Sequence, residues 1–420
     1  MDGDMTRLRC GFDFGTSNST IGLADGGPAR LVPLEGSAET LPTAVFYGET
    51  VHQVSYGRAA MGDYLAGEPG RLMRSIKSVL GTSLMEETTS VGQRRLHFAT
   101  IIADFIREVK RRAELHLGAE IDTVVQGRPV RFVEESEVAD HKAQEALAHA
   151  LKSCGIRHVK FQYEPVAAAR HWEATSSGEA LALVADIGGG TSDFSVIRLQ
   201  PRHQDRLDRS GDVLGNYGIR LGGTDFDRML SLRRVMPELG MGRKLQVKNL
   251  DAPVWIYTRL ATWSQINTLY APKSMRDIRW AINHGDDPAF DRLDTVVHQH
   301  LGHRIAGDVE KGKIDLSVGG QASINLDYIE QGLHLAVTER DLEEAIAAGL
   351  QRLGAAVDEC VTRAGVRPED VDLLILTGGS TEIPMVRDVI SGRLRHAKVV
   401  SCNTFGAVGL GLAQEAASLR

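Results

Sequence analysis

Two stretches of this chain share one plan. CGFDFGTSNSTIGL (10–23) and VADIGGGTSDFSVI (184–197) each read as an apolar strand, an aspartate, a tight glycine-bearing turn rich in small hydroxyl residues, and a second strand. Their aspartates, Asp13 and Asp186, stand 173 residues apart. That repeat predicts two similar lobes, each presenting a turn to a common cleft.

Glycine lets backbone N–H groups come close to an anion, because no Cβ intervenes. Successive N–H groups in such a turn form an anion nest. Thr16, Ser17, Asn18, Thr191 and Ser192 add side-chain donors. An aspartate beside phosphates would repel them unless a hydrated Mg²⁺ stood between, an ion that prefers oxygen ligands and keeps waters. Two such hairpins point to a divalent metal nucleotide. Each one alone is also what a tight β-turn requires for conformational reasons.

The rest of the chain alternates strands and helices, which makes the class α/β. Strands are expected at Leu8–Phe14, Thr20–Ala24, 39–49 (ETLPTAVFYGE), His158–Tyr163, 181–186, Asp193–Leu199 and Val371–Leu376. Ile101, Ile102, Phe105, Ile106, Val109 and Leu117 recur at helical spacing, and T-x-x-D at Thr338 opens a long helix to Ala364. The polar break TSSGE (175–179) sets the expected boundary between lobe I (1–178) and lobe II (179–420). Residues 235–300, rich in tryptophan and proline, give no clear pattern.

Composition closes several alternatives. At 420 residues, 42% hydrophobic and 25% charged, the chain has the profile of a multidomain globular protein. A net charge of −7 argues against a nucleic-acid footprint. Cys10, Cys154, Cys360 and Cys402 form no CxxC pair, so a zinc cluster is not expected and buried packing is. No leader-like or membrane-spanning apolar run occurs, so a cytoplasmic location is expected. GDVEKGKI (307–314) nearly matches a P-loop, but Ile314 lacks the hydroxyl for magnesium and no apolar strand precedes it. His298, His300 and His303 read as surface histidines.

Eight motifs then occur in order: GFDFGTSNS, TLPTAVFY, SIKSVLG, YEPVAAA, VADIGGGTSDFS, LGGTDFD, EKGKIDLS and LILTGGSTEIPMV. Together they resemble the ATPase domain of the seventy-kilodalton heat-shock chaperones of the DnaK type. The resemblance runs from about residue 8 to the end of the chain and is weakest across 231–300. QGRPVRF, FQYEPVAAA and MPELGMG add a closer similarity to the shorter YegD-like members. It implies an actin-like ATPase fold, two lobes each with an inner and an outer subdomain around a nucleotide cleft. The outer subdomains would span about 40–115 and 228–320, the second with a remodelled region at 231–300.

The resemblance also implies roles for residues at matching positions. Asp13 and Asp186 would hold Mg²⁺ through its waters. Gly15, Thr16, Ser17 and Asn18 would contact phosphates from one lobe, and Gly188, Gly189, Gly190 and Thr191 from the other. Lys77 would help place the attacking water and γ-phosphate of ATP, with Glu164 and Asp193 positioning water and metal. Thr191 would relay a proton. Gly222, Gly223 and Thr224 would line the nucleotide site. Glu310, Lys313 and Ser317 would grip the adenosine of ATP or ADP, with Gly378, Gly379 and Ser380. Taken singly, Lys77 reads as a surface lysine, Glu164 as a helix-start acid and EKGK as a charged helix face.

Departures from the chaperone pattern are Glu382 after GGST, where a basic or polar residue is usual, and NTFGAVG with Phe405 near an expected aspartate. No peptide-binding domain or lid is expected in this chain. The leading expectation is a slowly hydrolysing, chaperone-like ATPase switched by lobe closure, with a protein partner or co-chaperone and neither nucleic acid nor membrane. The alternatives are a nucleotide-gated interaction or filament module with negligible turnover, and a small-molecule kinase of the same superfamily.

Overall fold

The computed structural model describes residues 7–50, 53–91, 94–133, 136–173, 178–200, 210–401 and 406–419. Along the chain come β1 (Arg7–Phe14), β2 (Asn18–Leu23), β3 (Arg30–Leu31), β4 (Leu41–Pro42), β5 (Ala44–Gly48), β6 (Val54–Tyr56), α1 (Arg58–Leu65) and β7 (Gly70–Arg74). The hairpin β8 (Thr88–Val91) and β9 (Arg94–His97) leads into α2 (Phe98–Leu117), β10 (Glu120–Arg128), α3 (Glu137–Ser153), β11 (His158–Tyr163) and α4 (Glu164–Glu173). Strands β12 (Ala180–Ile187), β13 (Ser192–Leu199) and β14 (Val213–Ile219) follow, then α5 (Gly223–Leu230), α6 (Val254–Ala261), α7 (Ile266–Leu269), α8 (Pro272–Asn283), α9 (Ala289–His298) and α10 (Gly302–Gly319). The chain finishes with β15 (Gln321–Asn325), β16 (His334–Thr338), α11 (Glu339–Arg363), β17 (Leu373–Thr377), α12 (Pro384–Ser391), β18 (Lys398–Ser401) and α13 (Ala407–Ser418).

Two compact units result: one of 1–220, 354–381 and 390–420, the other of 221–353 and 382–389. The first holds two sheets of one topology. In order they run β11-β10-β1-β2-β3 and β18-β17-β12-β13-β14. In both, the first strand of the hairpin pairs antiparallel with the second and parallel with a later strand. The internal echo seen in the sequence is thus a repeat of strand order.

Packing explains why both sheets share a unit. Phe12, Phe14, Ile101, Phe105 and Ile106 form one core, with Phe14 and Phe105 ring centroids 5.9 Å apart. A second core joins Val125 of β10, Val166–Ala169 of α4, Val184 and Ile197 of β12–β13, and Leu412 and Ala416 of α13. The expected 178/179 boundary separates these sheets by sequence, while this core packs them together. Residues 175–177 of the expected break lie outside the described residues, as do Cys402 and Phe405.

Local signals match their elements. The buried stripe of α2 is Ile101, Ile102, Phe105, Ile106 and Val109, and Gly118 ends it with φ 66°. Thr338 and Asp341 form the reciprocal cap of α11: Asp341 accepts the Thr338 N–H at 2.9 Å and donates its own to Thr338 Oγ1 at 3.3 Å.

Several expectations need correction. The strand expected over 39–49 is two strands in different sheets, β4 beside β2 and β5 between β6 and β7. Pro42 lacks the N–H to continue a ladder, and Thr43 turns instead to bond Ser17 O at 2.8 Å. Strand β18, which has no counterpart among the expected strands, pairs parallel with β17 at the edge of the second sheet. Residues 235–300 are mostly helical, and Pro272 starts α8 at its first position, where proline is tolerated. His303 is buried against Trp263, centroids 4.8 Å apart, whereas His298 is exposed and pairs with Asp294. GDVEKGKI lies wholly within α10, so it forms no phosphate-cradling loop.

Candidate active site

Each hairpin delivers its aspartate to a turn. Asp13 pairs with Thr20 across β1–β2, and Asp186 directly faces Asp193 across β12–β13. The second turn is closed by Gly188 N–H donating to Thr191 O at 3.0 Å. The first is braced by Thr43, whose hydroxyl donates to Gly15 O at 2.8 Å and meets Ser19 Oγ at 2.9 Å. The turns approach one another: a Cβ at Gly190 would stand 3.9 Å from the Thr16 methyl.

Behind the second turn, Ser380 donates to Gly188 O at 3.0 Å. Gly378 adopts φ 84°, and a Cβ there would stand 2.7 Å from Asp186 Oδ1. Only glycine takes that backbone and that approach without strain.

Lys77 sits in a short 3₁₀ turn, Ile76–Val79, entered through Ser75 at φ 54°. A serine in the left-handed region costs about 1 kcal/mol or more, and such strain is kept where the surroundings dictate it. The turn buries Lys77, and its Nζ bonds Glu164 Oε1 at 2.7 Å. Glu164 opens α4, where the helix dipole also favours an acid.

Electrostatics unite the group. Burial, together with the charges of Glu164 and Asp186, pushes Asp13 up to about 8, against the pull of Lys77. Asp193 is pushed up to about 7 by burial and by Asp186 and Glu164, although Thr191 hydrogen-bonds to it. Asp186 rises to about 6 through burial and Glu164. Burial works to lower Lys77, but Glu164, Asp13 and Asp186 prevail and raise it. Asp13, Glu164, Asp186 and Asp193 set four carboxyls against one amine, 4 − 1 = 3 excess negative charges when ionised.

That excess fits a hard divalent cation. Among the described residues no three His, Cys, Asp or Glu side chains converge at direct-ligand spacing. A Mg²⁺ ion that keeps its waters and is gripped through them suits such a set.

The structure therefore brings Asp13, Lys77, Glu164, Asp186, Thr191 and Asp193 together, with Thr16 and Gly190 beside them and Gly378 and Ser380 behind. Ser17 and Asn18 lie on the first turn and β2, Gly189 on the second turn, and Gly379 starts a short 3₁₀ turn.

The remaining expected residues belong to the second unit. Gly222–Thr224 enter α5, and Asp225 accepts the Gly222 N–H at 3.1 Å. Glu310, Lys313 and Ser317 share one face of α10 by spacing. Lys313 is buried, with Nζ 2.8 Å from Asp227 Oδ1 and donating to Gly223 O at 3.1 Å. Ser317 donates to Lys313 O at 3.2 Å. Glu382 is exposed, 3.7 Å from Arg387.

Sequence reasoning passed over Thr43 and Ser75. Thr43 carried a signal, a hydroxyl between apolar residues in TLPTAVFY. Ser75 carried none, since its φ follows from burying the next turn.

A family model described as Hsp70 protein matches residues 9–250 and 289–420 and leaves 251–288 unmatched. The chain is 24% identical, over 429 aligned positions, to the Chaperone protein HscA of Salmonella typhimurium (strain LT2). It is equally similar, over 431 positions, to that of Salmonella paratyphi C (strain RKS4594). Each alignment covers 98% of this chain and 58% of the relative, so the chain spans little more than half the length of these curated proteins.

Proposed function

The chain belongs to the Hsp70 protein family and has its actin-like ATPase fold, and from that premise we propose that it is a chaperone-like, Mg-ATP-binding protein that hydrolyses ATP slowly. The observation that carries this reading is the buried Lys77–Glu164 pair set among Asp13, Asp186 and Asp193. The similarity to HscA, which is named a chaperone, supports the same reading.

Phosphoryl transfer to water asks little covalent chemistry of a protein; it needs alignment and charge stabilisation. Asp13 and Asp186 would hold Mg²⁺ through water, and the ion would supply charge neutralisation at the phosphates. The N–H groups of Gly15–Asn18 and Gly188–Thr191 would bind phosphate oxygens. Lys77 offers its ammonium to the γ-phosphate, and Glu164 holds that ammonium in place. Asp193 and Thr191 would orient the attacking water, with Thr191 relaying its proton. Glu310, Lys313, Ser317, Gly378, Gly379 and Ser380 would serve the adenosine. Lys313, already bound to Asp227 and Gly223 O, would act by ordering its turn of helix. Lobe closure on nucleotide would be the switch that a protein partner or co-chaperone reads.

The test is single-turnover hydrolysis of Mg-ATP by the purified protein beside Lys77→Ala, with bound nucleotide quantified. Hydrolysis lost in the variant while binding survives supports the proposal. Binding without hydrolysis in either protein would assign a nucleotide-gated interaction module instead. ADP release that rises on adding sugars would assign a kinase.

A further inference from the structure

Glu164 is the first residue of α4, and Arg170 lies six residues on, about 9 Å along the helix axis. Arg170 is buried, with Nη1 3.3 Å from Glu415 Oε2 on α13. Glu415 is 1% exposed. It also accepts from Lys160 Nζ and Gln162 Nε2, each at 2.6 Å, both on β11. Arg170 further reaches Ser418 Oγ at 3.4 Å. One carboxylate on α13 thus ties together β11 and α4, the consecutive elements that meet at Glu164.

The same helix has no room to slide. A Cβ at Gly411 would collide with the Ala167 carbonyl of α4, and one at Gly11 of β1 would strike the α13 backbone at Leu412–Ala413. Helix α13 therefore touches both the strand that carries Asp13 and the helix that begins at Glu164.

A charged group this deeply buried is a poor source of stability, since apolar side chains of similar volume often serve as well or better. The surrounding core, Val166–Ala169 with Leu412 and Ala416, is apolar throughout. What a charged network provides and apolar packing does not is a single register, because a shift by one position leaves buried charges unpaired.

We infer that Arg170 and Glu415 are positioning residues that hold α4 in the register that seats Glu164 on Lys77. Its consequence for hydrolysis rests on the function proposed above, but its test needs no nucleotide.

The experiment follows reductive methylation of Lys77 by mass spectrometry in the nucleotide-free full chain, beside thiol labelling of Cys10. Lys77 reacts only when its pair with Glu164 opens, whereas the fully buried Cys10 reports opening of the core around β1. In Arg170→Met and in Glu415→Gln, Lys77 methylation rises about fivefold or more while Cys10 labelling stays at the wild-type rate. Glu415→Gln keeps the side-chain shape, so it carries the test if Arg170→Met does not fold. An unchanged Lys77 rate overturns the inference. So does a parallel rise at Lys77 and Cys10, which is what a merely structural network would give.

Discussion

Asp186 and Asp193 occupy directly opposed positions on β12 and β13, both half-buried, at the mouth of the second glycine turn. Like charges facing each other across a ladder are destabilising, and burial deepens the cost. With Asp13 and Glu164 they leave the site short of positive charge, and Lys77 alone does not balance it. A site built this way is poised for a cation.

This charge excess sets a pH dependence of stability without divalent ions. The carboxyls of Asp13, Asp193 and Asp186 rise to about 8, 7 and 6 in the fold, against about 3.9 in an unfolded chain. The folded state then binds more protons than the unfolded state between about pH 4 and 8, so stability falls as pH rises through that window. Urea unfolding in EDTA at pH 5 and pH 8 measures it. The midpoint should be lower at pH 8, and Asp13→Asn should recover about 1–3 kcal/mol there. A midpoint that does not fall toward pH 8 would contradict the site's electrostatics.

Magnesium dependence follows from the same group. Asp186→Asn removes one of the two carboxyls expected to grip the hydrated ion. The apparent Kd for Mg-ADP should rise about 10–100-fold, the usual effect of losing an outer partner of a metal. Calorimetry with Mg-ADP against ADP in EDTA separates this from direct nucleotide contacts: the loss should appear only with the metal.

Lys77 has two roles that one variant separates. In Lys77→Met the single-turnover rate should fall about 10²–10³-fold, as when a positioned charge donor is removed. The variant also leaves Glu164 buried without its 2.7 Å partner, so urea unfolding should show a loss of about 3–5 kcal/mol. A loss below about 1 kcal/mol would mean that Glu164 finds another partner.

Gly378 tests close packing behind Asp186. Gly378→Ala imposes an L-residue at φ 84° and a Cβ against the Asp186 carboxylate. Gly155→Ala imposes a comparable φ, 86°, with nothing within 4 Å. Both should lose about 1 kcal/mol from the backbone. Only Gly378→Ala should lose more and also weaken Mg-ADP binding, read by denaturation and calorimetry on the same preparations.

Part of this was legible in the sequence. The hairpin plan around Asp13 and Asp186 could be read because strand, aspartate and glycine turn are local choices, fixed by φ and by alternation. The α2 stripe and the Thr338–Asp341 cap were readable for the same reason. Residues 235–300 were not, because α6 to α9 are short and broken by Pro253, Pro272 and Pro288, so each apolar stripe lasts too few turns to stand out. His303 looked like a surface residue, and packing against Trp263 buried it.

The sequence by itself determined the α/β class, the two turns and, through eight ordered motifs, the family resemblance. Tertiary structure decided that Lys77, a surface lysine by every local sign, is buried 87 positions from its partner Glu164. It also set Asp186 against Asp193 and tied Arg170 to Glu415 across 245 positions. The reason is physical: turns and helix caps are short-range balances within a few residues, whereas the charge state of a buried group depends on every neighbour the fold brings within a few ångströms.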